Sequence, residues 1–280
     1  MEPSARTIRA QVVRGDGPEL YVKTIGSGKH AMILLHGIGS GGMSWLPVMT
    51  SLAAGAQLII PDLRGHGESG HPESGYLLDD YANDLERLVS HFEIERPILI
   101  GHSLGGLTAV TWAKRHPERA LAIVLEDMPL TGGPERAPML EEWAKLATLP
   151  PDAVVDHYRV NYPHWTEADR VRRANTLTST QAAVFLEMRH HAMTGAGLDY
   201  LAGLSVIRSP IMLIYGDVEA GSLVPESGAA SFAALGPNFE TIHISGASHA
   251  IHRDSTESFL RETCAFLANV ELANDSAKRP

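Results

Sequence analysis

The sequence predicts an α/β fold: a mostly parallel, eight-stranded sheet with helices on both faces and a helical insertion ahead of its last two strands. Three observations predict it. Short apolar runs alternate with segments of helical spacing along most of the chain, the pattern of strands buried on both faces and joined by crossover helices. Between about Leu130 and Ser205 the buried-strand runs stop and only helix-like stretches remain. His36, Asp62, Ser103, Asp127, Asp217 and His249 each follow a strand-like run, at the carboxyl ends of strands where open α/β sheets bind ligands.

Taken in order, Ile8 to Arg14 and Leu20 to Ile25 alternate loosely about Gly15-Asp16-Gly17-Pro18 and read as an antiparallel hairpin at a sheet edge. Ala31 to Leu35 is a buried strand ending in His36-Gly37-Ile38-Gly39, with a helix around Trp45 to Ala53. Leu58 to Ile60 is the next strand and runs into Arg64-Gly65-His66-Gly67, a turn by its glycines. From Asp79 to Phe92, Tyr81, Leu85, Leu88, Val89 and Phe92 share one helical face. Pro97 to Ile100 is a strand, Leu107 to His116 a helix, and Leu121 to Leu125 a strand ending in Glu126-Asp127-Met128-Pro129.

After the proline-punctuated insertion, the sheet resumes at Pro210 to Tyr215 and Phe239 to Ile244, with a helix near Pro225 to Leu235 between them. Ser258 to Val270 closes the fold as a helix, and the polar stretch from Glu271 to Pro280 reads as a frayed tail. The chain thus divides into residues 1–129 and 207–280, two parts of one sheet core, and a helical cap at 130–206.

Between the strand ending at Ile100 and the helix after it stands Gly101-His102-Ser103-Leu104-Gly105. A serine flanked two residues away on each side by glycine, between a strand and a helix, is the pattern of a nucleophile elbow. The turn must be very sharp, so a Cβ at either glycine would collide with its surroundings. The hydroxyl is lifted above the sheet edge, and the following helix points its positive end at the same spot.

Bulk composition narrows the function classes. The 280 residues carry 23 Lys and Arg against 33 Asp and Glu, a net charge of −10. That charge lacks the basic footprint of a nucleic-acid binder. No run approaches the length of a membrane span, and Met1 to Thr7 has no apolar signal core, so a cytoplasmic protein is expected. The one cysteine, Cys264, forms no internal disulfide and is expected to be inert core. His190-His191 lacks the i, i+4 spacing of a metal pair, and the elbow lacks the Gly-Lys end of a phosphate loop. No metal and no cofactor are expected. A homodimer is compatible with the sequence.

His36-Gly37, Arg64-Gly65-His66-Gly67, Gly101-His102-Ser103-Leu104-Gly105 and Gly246-Ala247-Ser248-His249 together resemble the α/β-hydrolase superfamily, over about Ile8 to Val270. The resemblance implies the chain order nucleophile, acid, histidine. Ser103 would be the nucleophile and His249 its general base, with His252 as the neighbouring rival. The oxyanion hole would use the backbone N–H of Leu104 and of Ile38, with Gly37 as the alternative to Ile38.

The residues leave the acid open. The superfamily usually carries it after the strand ending at Tyr215, but Gly216-Asp217-Val218-Glu219 puts the aspartate too early. Asp127, one strand earlier, resembles the arrangement of zearalenone-type lactone hydrolases and cofactor-free ring-cleaving dioxygenases, and is preferred here over Asp217, Glu126 and Glu219. The insertion should roof the site. Met139, Leu140, Trp143, Leu146, Tyr158, Trp165 and Met188 are candidates for an apolar wall, with Trp165 and Tyr158 singled out as substrate contacts. The expected function is a serine hydrolase acting on a small hydrophobic ester or lactone. Carbon–carbon bond hydrolysis, cofactor-free ring cleavage and a non-catalytic ligand receptor are the alternatives on the same fold.

Overall fold

The apolar runs that alternate with helical segments become strands and helices of one sheet. A computed structural model describes residues 7–194 and 198–277. Residues 1–6, on which the reading of the N-terminus rests, and the end of the tail at 278–280 lie outside the described residues.

The edge hairpin is β1 (Arg9–Val13) and β2 (Leu20–Ile25), antiparallel, with Val13 opposite Leu20. Then come β3 (His30–Leu35), α1 (Leu46–Leu52), β4 (Ala56–Pro61), α2 (Leu78–His91), β5 (Ile98–His102), α3 (Leu104–Arg115) and β6 (Ala122–Glu126). The insertion is bracketed by a short antiparallel pair, β7 (Thr131–Gly132) with β8 (Leu198–Asp199). Between them lie α4 (Ala137–Ala147), α5 (Pro151–Asn161), α6 (Glu167–Thr178) and α7 (Ala182–Thr194). The core closes with β9 (Ile211–Tyr215), α8 (Glu226–Ala233), β10 (Phe239–His243), α9 (Ile251–Asp254) and α10 (Thr256–Ala277).

The main sheet has eight strands in the order β1-β2-β4-β3-β5-β6-β9-β10. β2 is antiparallel to both its neighbours, and every pairing from β4 to β10 is parallel. The strand period of two splits the apolar side chains between two cores. Ile33, Leu35, Leu99, Ile123, Leu125 and Leu213 pack toward α2, α3 and α8. Leu34, Ile98, Ile100, Val124, Met212 and Ile214 pack toward α1 and α10. The insertion has a third cluster of its own, built around Leu140, Val154, Tyr158, Leu177 and Phe185. Among the described residues, no helix is long and apolar enough to cross a membrane.

Three local expectations change. Helix α3 starts at Leu104 rather than Leu107, because the glycines that looked like turn are its first turn and let β3 approach. Helix α10 continues through Glu271 to Ala277; that stretch holds no glycine or proline to end it. Cys264 is exposed and not in the core. The buried face of α10 runs through Phe259, Thr263, Phe266, Leu267 and Val270, and Cys264 falls outside that stripe.

Candidate active site

Ser103 sits at the corner between β5 and α3 with φ 51° and ψ −112°, a region that costs a non-glycine residue of order 1–3 kcal/mol. The surroundings enforce it. A Cβ on Gly101 would lie 2.5 Å from the backbone of Gly105, and a Cβ on Gly105 would lie 2.1 Å from the carbonyl oxygen of Leu35. Both glycines are therefore required by close backbone approach. The Ser103 N–H donates to the Glu126 carbonyl at 3.0 Å, tying the corner to the neighbouring strand. Ser103 is buried but lines a cavity beneath the insertion.

Three carboxylate–imidazole pairs decide how the site is wired. Asp127 Oδ2 lies 2.6 Å from His249 Nδ1, which leaves Nε2 as the ring nitrogen available to a hydroxyl. Glu126 pairs with His252, its two oxygens each 2.8 Å from Nδ1, while His252 Nε2 faces the Ser44 carbonyl at 3.1 Å. Asp217 pairs with His243 at 2.6 Å and accepts the Gly246 N–H at 2.6 Å; those bonds, the Gly246 one first, hold its carboxyl below the usual range. The rival base and one rival acid of the sequence thus satisfy each other in a fully buried pair stacked on Trp45. Asp217 braces the turn that leads to His249. Glu219 is exposed in a short turn.

Asp127 is fully buried and has φ +40°. Its Oδ1 accepts the Ser222 hydroxyl at 2.5 Å and its Oδ2 the Leu223 N–H at 2.8 Å. The loop after β9, where an acid was one alternative, instead supplies donors that hold Asp127 in place. Sequence reasoning missed Ser222 and Leu223; nothing local marks a donor for a carboxylate some ninety positions away in the chain. It also missed His102. That ring packs against His249 with centroids 4.5 Å apart, and its Nε2 lies 2.9 Å from the His249 carbonyl oxygen. Burial first, then the nearby His249 and His252, push its pKa well down, so the ring is neutral and pins the His249 loop as a donor.

The loop after β3 is held just as firmly. Buried His36 contacts the Gly37 carbonyl through Nδ1 at 2.8 Å and accepts the Leu63 N–H at Nε2 at 2.9 Å. Buried His66 contacts the Arg64 carbonyl through Nδ1 at 2.8 Å and accepts the Gly39 N–H at Nε2 at 3.1 Å. Each ring donates once and accepts once, the pattern of neutral imidazole. Burial lowers both pKa values. Arg64 is held by Asp84 through two bonds of 2.6 and 2.8 Å, so the Arg64–Gly67 segment is architectural. From the insertion, Arg173 donates to the Gly39 carbonyl at 2.7 Å and stacks on Trp143. Ile38, between these fixed points, lines the same cavity as Ser103 and Leu104. As the first residue of α3, Leu104 has no carbonyl one turn back for its N–H to bond.

Leu107, Met139, Leu140 and Met188 supply apolar wall, with Arg136 and Tyr200 among the other lining residues. Tyr158 and Trp165 are not in that wall. Tyr158 is 3% exposed and packs with Tyr162 and Trp165 in the insertion's own core. An aromatic side chain satisfies an internal core as well as a cavity, and here the core at α5 and α6 takes both Tyr158, on α5, and Trp165, in the loop before α6. Among the described residues, no group of three or more His, Cys, Asp or Glu is placed to hold a metal ion.

Comparison with known proteins agrees with this architecture. A family model described as alpha/beta hydrolase fold matches residues 30–181. The chain is 29% identical over 256 residues to 2-(acetamidomethylene)succinate hydrolase of Mesorhizobium japonicum, covering 89% of this chain and 91% of that protein. The crystal structure of E-2-(acetamidomethylene)succinate hydrolase superposes with a TM-score of 0.79 at 25% identity, covering 94% of this chain and 100% of the other. An enol-lactonase from Burkholderia xenovorans superposes with a TM-score of 0.76 at 20% identity, covering 92% of this chain and 100% of the other; at that identity the likeness is one of fold.

Proposed function

The chain belongs to the alpha/beta hydrolase fold family, and from that premise we propose that it is a serine hydrolase cleaving a carboxylic ester or lactone through an acyl-enzyme on Ser103. The observation that carries the reading is the 2.6 Å bond between Asp127 and His249 on the loops beside the Ser103 elbow. A serine hydroxyl is a weak nucleophile at neutral pH and needs a base to take its proton. His249 Nε2 takes it, while Asp127 fixes the tautomer and stabilises the imidazolium that forms. Ser103 Oγ adds to the carbonyl carbon, and the oxyanion is held by the N–H groups of Leu104 and Ile38. His249 then returns the proton to the leaving alcohol. Water, deprotonated by the same imidazole, releases the acid.

The names of the similar proteins support hydrolysis in general and leave the bond cleaved to this chain's own cavity. Hydrolysis of a bond other than an ester, carbon–carbon included, uses the same residues and is kept as the second reading, because the relative matched over 89% of the chain is named a hydrolase of an acetamido compound. Exposure of the folded protein to a fluorophosphonate tests the proposal. Phosphonylation of Ser103, with release of acid from an ester panel, is the expected outcome. A folded protein whose Ser103 stays unmodified excludes it, and oxygen uptake with a heteroaromatic substrate would turn the reading to ring cleavage.

A further inference from the structure

Among the described residues that line the cavity beside Ser103, one is charged, and its charge is positive. Arg136 is the last residue of a short turn, Pro134–Arg136, that leads into α4. It lines the cavity together with Ser103, and no carboxylate lines it with them. Its side chain is 27% exposed, and the nearest carboxylate, Glu135, lies 3.9 Å from Nε, beyond hydrogen-bond reach and largely in solvent. Arg64, Arg115, Arg119 and Arg173 are each held by hydrogen bonds. Among the described residues Glu135 is the ion-pair partner of Arg136, and no hydrogen bond holds the guanidinium. The wall around it is Met139, Leu140 and Met188.

A guanidinium kept partly out of water among apolar side chains needs an anion to offset its lost hydration. Its planar fork of donors matches a carboxylate in two parallel bonds. Tyr200 shares the same wall. Its hydroxyl is packed so closely on the backbone of β7 that a Cβ at Gly132 would lie 2.9 Å from it. Burial raises the pKa of this phenol, so it stays protonated and can donate.

Resting on the hydrolase reading above, we propose that the substrate carries a free carboxylate, seated on Arg136 with the Tyr200 hydroxyl as second donor. The substrate is then an ester or lactone that keeps a free carboxylate, as a half-ester of a dicarboxylic acid does. The expectation of a purely hydrophobic substrate is thereby refined: an apolar middle with an anionic end.

Binding to protein carrying Ser103→Ala tests this without turnover. The probes are mono-p-nitrophenyl glutarate and p-nitrophenyl pentanoate, matched in chain length and differing in the carboxylate. Calorimetry on the Ser103→Ala protein should show a preference for the glutarate ester. Adding Arg136→Gln should reduce that preference by about 10- to 100-fold, the scale of a charge-assisted contact, and Arg136→Lys should restore part of it. A preference that is absent, or unchanged by Arg136→Gln, overturns the proposal, as does a failure of both esters to bind. Thermal unfolding of each variant excludes misfolding as the cause, and the lysine variant gives the answer if the glutamine variant does not fold. Because no step here uses the Ser103 hydroxyl, failed phosphonylation with this preference intact removes the serine mechanism and leaves the anion site.

Discussion

At the scale of the residue, the site is a problem of which carboxylate reaches which imidazole. Asp127, Glu126 and Asp217 all stand at carboxyl ends of adjacent strands, and each has its own histidine. Local glycine patterns in the sequence mark Ser103 and His249 as the candidate nucleophile and base, and Asp127 is preferred as the candidate acid on a resemblance alone. What no local pattern shows is the loop from β9 folding back to offer the Ser222 hydroxyl and the Leu223 N–H to Asp127, a contact between segments far apart in the chain. Ser222→Ala removes one donor from the carboxylate and leaves the rest of the site in place. We expect kcat on a chromogenic ester to fall by about 10-fold, the scale of one hydrogen bond to a charged group. KM should change little, and Ser222→Thr should recover much of the loss. An equal loss with threonine, or a loss confined to KM, would show that Ser222 does not act through Asp127.

At the scale of the element, the elbow works because α3 is pressed against β3. The 2.1 Å approach of a notional Gly105 Cβ to the Leu35 carbonyl is backbone against side chain, with no flexible group to yield. Gly105→Ala should therefore destabilise the fold by at least about 2 kcal/mol, in the range of overpacked cores, as read by urea denaturation; full stability would mean that the packing is looser than described. This element was legible before the structure, since strand, glycines and helix follow one another without a gap. The insertion was legible only as helical. Its apolar residues could line a cavity or fill a core, and the hydrophobic pattern is the same for both. Met139 and Met188 went to the cavity, Tyr158 and Trp165 to the core. Arg136 and Arg173 carried no local signal, because arginines on helix surfaces are common and only the folded arrangement shows what each one faces.

At the scale of the whole molecule, the parallel sheet brings Ser103, Asp127 and His249 to one rim, and buried neutral histidines hold the loops there. His36, His66 and His102 all have pKa values lowered, chiefly by burial. Between those lowered values and the ordinary value near 6.5, the unfolded chain binds more protons than the folded one. Their contribution is thus complete above about pH 6.5 and is lost as pH falls from there, at up to about 1.4 kcal/mol per pH unit for each ring. Stability to urea should decline from pH 7 to pH 5. His66→Gln should flatten that decline by as much as one proton's worth, and an unchanged slope would contradict the assignment of His66 as a neutral acceptor for Gly39.

In the proposed mechanism Ser103 is made reactive by His249 held on Asp127. The rate at which a fluorophosphonate modifies Ser103 in folded protein measures that reactivity directly, and comparing Asp127→Asn with Asp217→Asn isolates the acid. A fall of about 10³-fold or more is expected for Asp127→Asn, the scale seen when the orienting aspartate of a serine triad becomes an amide, and less than about 10-fold for Asp217→Asn. Modification of Asp127→Asn at a rate within about 10-fold of the unmutated chain, or a larger loss in Asp217→Asn, would contradict it.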